Sequence, residues 1–228
     1  ASANTGYSSL VMKDGSTTVT SPYTTTMTAN KTISTSATIN TYKVTIAVDN
    51  SNYGTVDKTE VSGVPYGTKL SVSSNKVTIN GTIVTATATS LAGYTTTFSS
   101  WTNGTATVTG NLTVTANFAR TANSYKIAFN GNGSTNGAMA TISATYDKST
   151  TLSRGAFIRP GYTFTGWATS STGSKVYNDK ALVTNLSSTN GATVTLYAVW
   201  TKDTYSITYN LGGGTNASGA ATSYNIDS

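Results

Sequence analysis

Few residues in this chain are able to do chemistry, and the densest group of them lies in one stretch, DNSNYGTVDKTE, residues 49 to 60. It sets Asp49, Ser51, Tyr53, Gly54, Asp57 and Glu60 at positions one, three, five, six, nine and twelve of a calcium-loop pattern. Calcium takes about six to eight oxygens from such a loop, so Asp49, Asp57 and Glu60 form the one candidate ligand set. Tyr53 is a poor fifth-position ligand, and the flanks read as strands rather than helices. A hairpin turned at Gly54 is the better reading, and no metal is assigned.

Other signals of chemistry weaken in the same way. GGGTNA, 212 to 217, satisfies a dinucleotide fingerprint, but no helix pattern follows it and GNGSTNG holds the same place about eighty residues earlier, so it reads as a turn. Only eight acidic residues are present, and no pair of them is placed for glycoside hydrolysis. With no Cys and no His, thiol nucleophiles, Ser-His triads and His-based metal sites are excluded. The expectation is a non-enzyme with no catalytic residue and no cofactor. A Lys-Asn isopeptide bond needs a buried acid beside the pair, and no spacing points to one. Asn-x-Ser/Thr sequons begin at Asn30, Asn80, Asn103, Asn111, Asn132, Asn185 and Asn216, and are glycosylation sites if the source glycosylates its surface proteins.

The elements that would carry these residues read as strands. Thr, Ser and Asn dominate the polar positions, Gln is absent and Glu60 is the single glutamate, a weakly charged, β-favouring composition that suits an extracellular protein. The net charge of +6 comes from fourteen basic residues, no two adjacent, which makes no stripe for tracking phosphates, so nucleic acid is not expected as a partner. No apolar run reaches the ~20 residues that span a bilayer, and ASANTG has no signal-peptide character. The chain reads as a mature or excised segment with no direct membrane insertion.

An internal repeat organises the chain. TYKVTIAV from Thr41, SYKIAFNG from Ser124 and TYSITYNL from Thr204 open alike with the period-two pattern of half-buried strands. LTVTANF ending at Phe118 and VTLYAVW ending at Trp200 close alike, and KTISTSATIN fits the same closing role. The parse is a back half-repeat (1–40), a full repeat (41–120), a second full repeat (121–202) and a front half-repeat (203–228), with short linkers ARTANS and TKD. Asn-Gly pairs supply hairpin turns, and DKALVTNL, 179 to 186, is the one helix candidate. The fold class is all-β, with at most one short helix per module.

In the second repeat, YKIAFNGNGSTNG, then RPGYTFTGWATSSTGSKV, then TLYAVW, resembles the Listeria-Bacteroides repeat, the B-repeat of internalin-type surface proteins. The first repeat resembles a divergent form through NYGTV, VPYGTKLSVSS, GYTTTFSSW and LTVTANF, with two extra residues between Tyr94 and Trp101. The resemblance implies β-grasp-like modules in tandem, used in secreted surface proteins as stalks, spacers and adhesive segments, with no catalytic residues and no single agreed ligand.

The aromatic clusters then weigh as structure. An eighty-residue module has little apolar area, and rings that each bury ~150 to 250 Å² would dominate its stability. Tyr94, Phe98, Trp101 and Phe118 in the first repeat, and Tyr162, Phe164, Trp167 and Trp200 in the second, are the expected core. The expected function is a secreted, non-enzymatic cell-surface repeat protein, an adhesin stalk or an extracellular filament subunit assembled by strand complementation between half-repeats. The alternative is a carbohydrate- or host-protein-binding module. Expected partners are accordingly copies of the chain itself or cell-surface and host ligands.

Overall fold

The computed structural model describes residues 2–228. Strands, turns and coil account for all of them, with no helix among the described residues, and the chain divides into two compact units. The first unit is Ala1–Ser90 with Thr96–Arg120, and the second is Leu91–Thr95 with Thr121–Ser228.

The first unit opens with β1 (Tyr7–Asp14), β2 (Thr17–Val19) and β3 (Ile33–Ile39), which form a sheet of order β2-β1-β3. Then come β4 (Thr41–Val48), β5 (Gly54–Val56), β6 (Glu60–Pro65), β7 (Ser71–Ser73), β8 (Lys76–Ile79), β9 (Thr82–Ala88), β10 (Tyr94–Thr102) and β11 (Leu112–Ala122), the first two residues of β10 and the last two of β11 falling in the second unit. They make two sheets, β10-β11-β4-β6 and β5-β9-β8-β7. β4 and β11 run parallel, with Leu112 opposite Val44 and Val114 opposite Ile46. The alternation is therefore what fills the core: Val44, Ile46 and Val114 turn inward onto Val64, Leu70, Val77, Ile79, Val84 and Val108. The β8–β9 hairpin turns on Asn80 and Gly81, both at positive φ (46° and 79°), the conformation an Asn-Gly pair adopts most cheaply.

The second unit contains β12 (Ser124–Asn130), β13 (Ile142–Thr145), β14 (Thr150–Thr151), β15 (Tyr162–Ala168), β16 (Leu182–Val183), β17 (Thr193–Lys202), β18 (Tyr205–Ser206) and β19 (Ser223–Tyr224). The main sheet is β13-β12-β17-β15, again with a parallel central pair, β12 and β17. Tyr125, Ile127, Leu152, Trp167, Leu196 and Ala198 form its buried centre. The expected helix at 179–186 does not form. Lys180 and Asn185 both have φ of 57°, and Leu182–Val183 pairs as β16 with β14. Val183 is buried while Leu182 is exposed, which is the two-residue alternation of a strand, so packing overrides the helical look of the octapeptide.

Both shorter pieces of the chain copy the register of the second repeat. Tyr7, Ser8, Val11, Met12 and Lys13 on β1 face Ile39, Thr38, Ser36, Thr35 and Ser34 on β3, with a shift between Ser8 and Val11. On β15, Tyr162, Thr163, Gly166, Trp167 and Ala168 face Lys202, Thr201, Val199, Ala198 and Tyr197 on β17, with the shift between Phe164 and Gly166. Near the other end, Tyr205 faces Tyr224 and Ser206 faces Ser223, as Tyr125 faces Ala144 and Lys126 faces Ser143.

Candidate functional site

The expected aromatic plug divides into a core and a rim. Trp167 is fully buried, with the rings of Phe129 at 4.8 Å, Phe164 at 4.9 Å and Phe157 at 6.3 Å around it, spacings at which tilted and edge-on rings attract. Trp200 packs edge-on to Phe164 at 5.7 Å and donates its indole N–H to Gly131 O at 2.9 Å. In the first unit Phe118 is buried, and Phe98 and Trp101 pack against it. Gly166 carries φ of 144°, and a Cβ there would run into Tyr177 O and the Lys175 side chain. The bulge it makes lets Trp167 turn inward.

Tyr94 and Tyr162 stand outside these clusters. Tyr162 is half-buried under the Arg159 guanidinium, 3.8 Å above its ring, a cation–π contact. Tyr94 packs edge-on against Tyr146 at 5.6 Å and donates its hydroxyl to Asp147. The Asp147 carboxylate also accepts from Asn185 Nδ2 at 2.8 Å. These two hydrogen bonds, the tyrosine's first, hold Asp147 below the usual aspartate range.

The candidate calcium ligands do not converge. Asp49 accepts the Phe118 N–H at 3.1 Å, Asp57 accepts the Thr85 N–H at 2.8 Å, and Glu60 faces Lys43 at 3.6 Å. Among the described residues no group of three acids is placed to hold a metal. Each acid instead fastens a neighbouring strand. Residues 212–217 form turn and coil with no helix after them, so they lack the helix N-terminus that a phosphate loop uses.

The sequons separate by what their amides already hold. Asn132 is half-buried and donates Nδ2 to both Ser171 O and Ala198 O at 2.9 Å. Asn103 donates to Thr113 O, Asn185 to Asp147, and Asn111 accepts from the Lys43 N–H. Asn30, Asn80 and Asn216 are exposed.

The arrangement that recurs most faithfully is one that sequence reading missed. Gly6, Gly93 and Gly161 precede Tyr7, Tyr94 and Tyr162, with φ of 86°, 82° and 74°. Each glycine carbonyl accepts a backbone N–H from the start of a following opening strand: Asn40 at 2.8 Å, Asn123 at 2.8 Å and Asp203 at 2.9 Å. A Cβ on each glycine would sit inside, or hard against, one side chain, Tyr66, Tyr146 or Ile226 respectively. Two of the three knots are closed by a second bond, Tyr66 N–H to Asn40 O and Tyr146 N–H to Asn123 O, both 2.8 Å. Asn123 is the one buried polar residue among the described residues; it accepts from Thr95 Oγ1 at 2.7 Å and donates to Ser188 O at 2.8 Å. The signal was there in three Gly-Tyr pairs, the first of them the weakly aromatic GYSSL.

Residues 125–199 match the family model of the Listeria-Bacteroides repeat domain. This segment is similar to the Listeria-Bacteroides repeat. The match runs from Tyr125, the buried ring of β12, to Val199 on β17 and spans less than half of the chain. No curated protein and no solved structure matches the chain. The repeat is typical of surface and extracellular proteins, so the chain is consistent with a surface repeat protein. Within this Listeria-Bacteroides-like segment, Trp167 is the centre of the core, Tyr162 and Arg159 form its rim, and Gly161 ties it to the next opening strand.

Proposed function

We propose that this chain is a non-enzymatic segment of a secreted cell-surface protein, acting as an adhesin stalk or an extracellular filament subunit. The observation that carries the reading is the knot formed three times, at Gly6, Gly93 and Gly161. A protein selected for catalysis concentrates its unusual geometry at one site, whereas here the repeated geometry lies where one repeat passes into the next. Each knot combines a positive-φ glycine, a close-packed side chain and one or two backbone hydrogen bonds, which suits a spacer that must keep its junctions ordered. The weakly charged Thr-, Ser- and Asn-rich surface and the repeat family support a location outside the cell.

The test is negative-stain electron microscopy of native material, combined with brief protease treatment of intact source cells. Bead-like rods or filaments released from the cell surface are the expected result. A chain retained inside the cells would overturn the reading. A second reading, a carbohydrate- or host-protein-binding module, draws on the exposed ring pair Tyr205 and Tyr224, stacked at 5.3 Å. Binding on a glycan array that is lost in Tyr224→Ala would favour it.

A further inference from the structure

Two strand edges in this chain lack the neighbour that their counterparts have. β3 bonds to β1 on one edge and to nothing on the other among the described residues, and all seven of its residues are exposed. β18 bonds to β19 on one edge alone, and Tyr205 and Tyr209 are 45% and 42% exposed. Their counterparts in the Listeria-Bacteroides repeat are not left so. β1 with β3 copies β15 with β17, and β18 with β19 copies β12 with β13, pair for pair. There β17 and β12 lie side by side in parallel, and Leu196 and Tyr125 are buried to 0% and 1% exposure.

Resting on the filament reading above, we propose that β3 of one copy pairs in parallel with residues 204–210 of a second copy, completing a four-stranded sheet of order β1-β3-β18-β19. The register follows from the intact sheet. Phe129 faces Leu196 and Asn130 faces Tyr197, which places Tyr209 opposite Ile33 and Asn210 opposite Ser34. Ile33 is 44% exposed, and further along β3 an open cavity of about 240 Å³ is lined by Ser2, Tyr7, Leu10, Thr35 and Ala37, where the β17 counterparts of Thr35 and Ala37 are Ala198 and Trp200 of the second repeat's core. The acceptor edge is already ordered, because Asp203 is bonded to Gly161 and Ile226 packs on Gly161.

A second copy is the fitting occupant because β3 arrives with β1 already bonded along its far edge, in the β15 position. A lone peptide would satisfy the open edge but bring no fourth strand. The contact joins two different surfaces, so it propagates head to tail.

The chain has no cysteine, which makes engineered disulfides clean reporters. Ser34→Cys and Asn210→Cys variants of the full chain, mixed and mildly oxidised, should yield a heterodimer roughly tenfold above Ser36→Cys mixed with Asn210→Cys, where the shift of two residues exceeds disulfide reach. Thr32→Cys with Asn210→Cys tests a slip of two residues the other way. Equal yields from all pairs, dominance of the Thr32 pair, or no heterodimer above self-crosslinking of the single variants would overturn the proposal. Ile207→Lys should abolish association in sedimentation velocity with an unchanged circular dichroism spectrum; association that persists overturns it too. A strictly monomeric chain still displayed on the cell surface would sink this interface and leave the stalk reading standing.

Discussion

Trp167 concentrates the stability of the second unit in one side chain. It touches Phe129, Phe157 and Phe164 and is fully buried, so Trp167→Ala should cost ~3 to 5 kcal/mol in chemical denaturation. Glycines allow a finer comparison. Gly15 has φ of 59° with nothing within reach of a Cβ, whereas at Gly93 a Cβ would sit inside the Tyr146 ring. Gly15→Ala should cost about 1 kcal/mol for the left-handed backbone alone, and Gly93→Ala several times that, both read from denaturation midpoints. The charged rim adds a pH dependence. Asp147 is held below its ordinary range by Tyr94 and Asn185, so its contribution is fully present above the unfolded pKa near 4 and is lost as pH falls through the folded value. Asp147→Asn should therefore lower stability above pH 6, flatten the acid limb of a stability–pH curve, and bring variant and parent together at low pH. Composition made Trp167 and Phe118 legible as core. It could not separate them from Tyr94 and Tyr162, because a tyrosine whose hydroxyl meets a carboxylate and one whose core face is buried look the same in sequence.

At the scale of elements, the opening strands β4 and β12 and the closing strands β11 and β17 were legible, because period-two alternation and the need to bury one face point the same way, whereas TYSITYNL, read as a third opening strand, pairs only at Tyr205–Ser206. Residues 179–186 were misleading for the converse reason. Ala181, Leu182 and Val183 have apolar spacing that suits a helical turn, and only the pairing of β16 with β14 decides between the two. The calcium-like spacing of Asp49, Asp57 and Glu60 was equally illusory, since a β-hairpin spreads over three strand contacts what a helix-flanked loop would gather. The knots escaped notice because their partners lie far apart in sequence: Gly93, Asn123 and Tyr146 meet only once the fold exists. Asn123 offers the test. Asn123→Ala removes the acceptor of Thr95 and the donor to Ser188 O while the backbone bond to Gly93 stays possible. Leaving those partners unsatisfied beside a buried site should cost ~1 to 3 kcal/mol. Hydrogen exchange should show the loss at the amides of 123 and 146 first, with the β12–β17 ladder protected until global unfolding.

For the whole molecule, the division into two units, with separate buried clusters around Val44 and around Trp167, sets the expected mode of unfolding. Each cluster closes on a parallel pair far apart in sequence, β4 with β11 and β12 with β17, so each is cooperative within itself. A sheet shared by all residues would melt as one; two separately closed cores give two events. The three tryptophans report them separately: Trp101 packs on the first unit's clusters, and Trp167 and Trp200 on the second's. In a Trp101→Phe background, fluorescence follows the second unit alone while far-ultraviolet circular dichroism follows both. The two denaturation curves should diverge in that background, and adding Trp167→Ala should move the fluorescence midpoint while leaving one component of the dichroism curve in place. Coincident curves that shift together would mean that the two clusters unfold as one body, and a spacer built from such bodies would yield to force in a single large step rather than repeat by repeat.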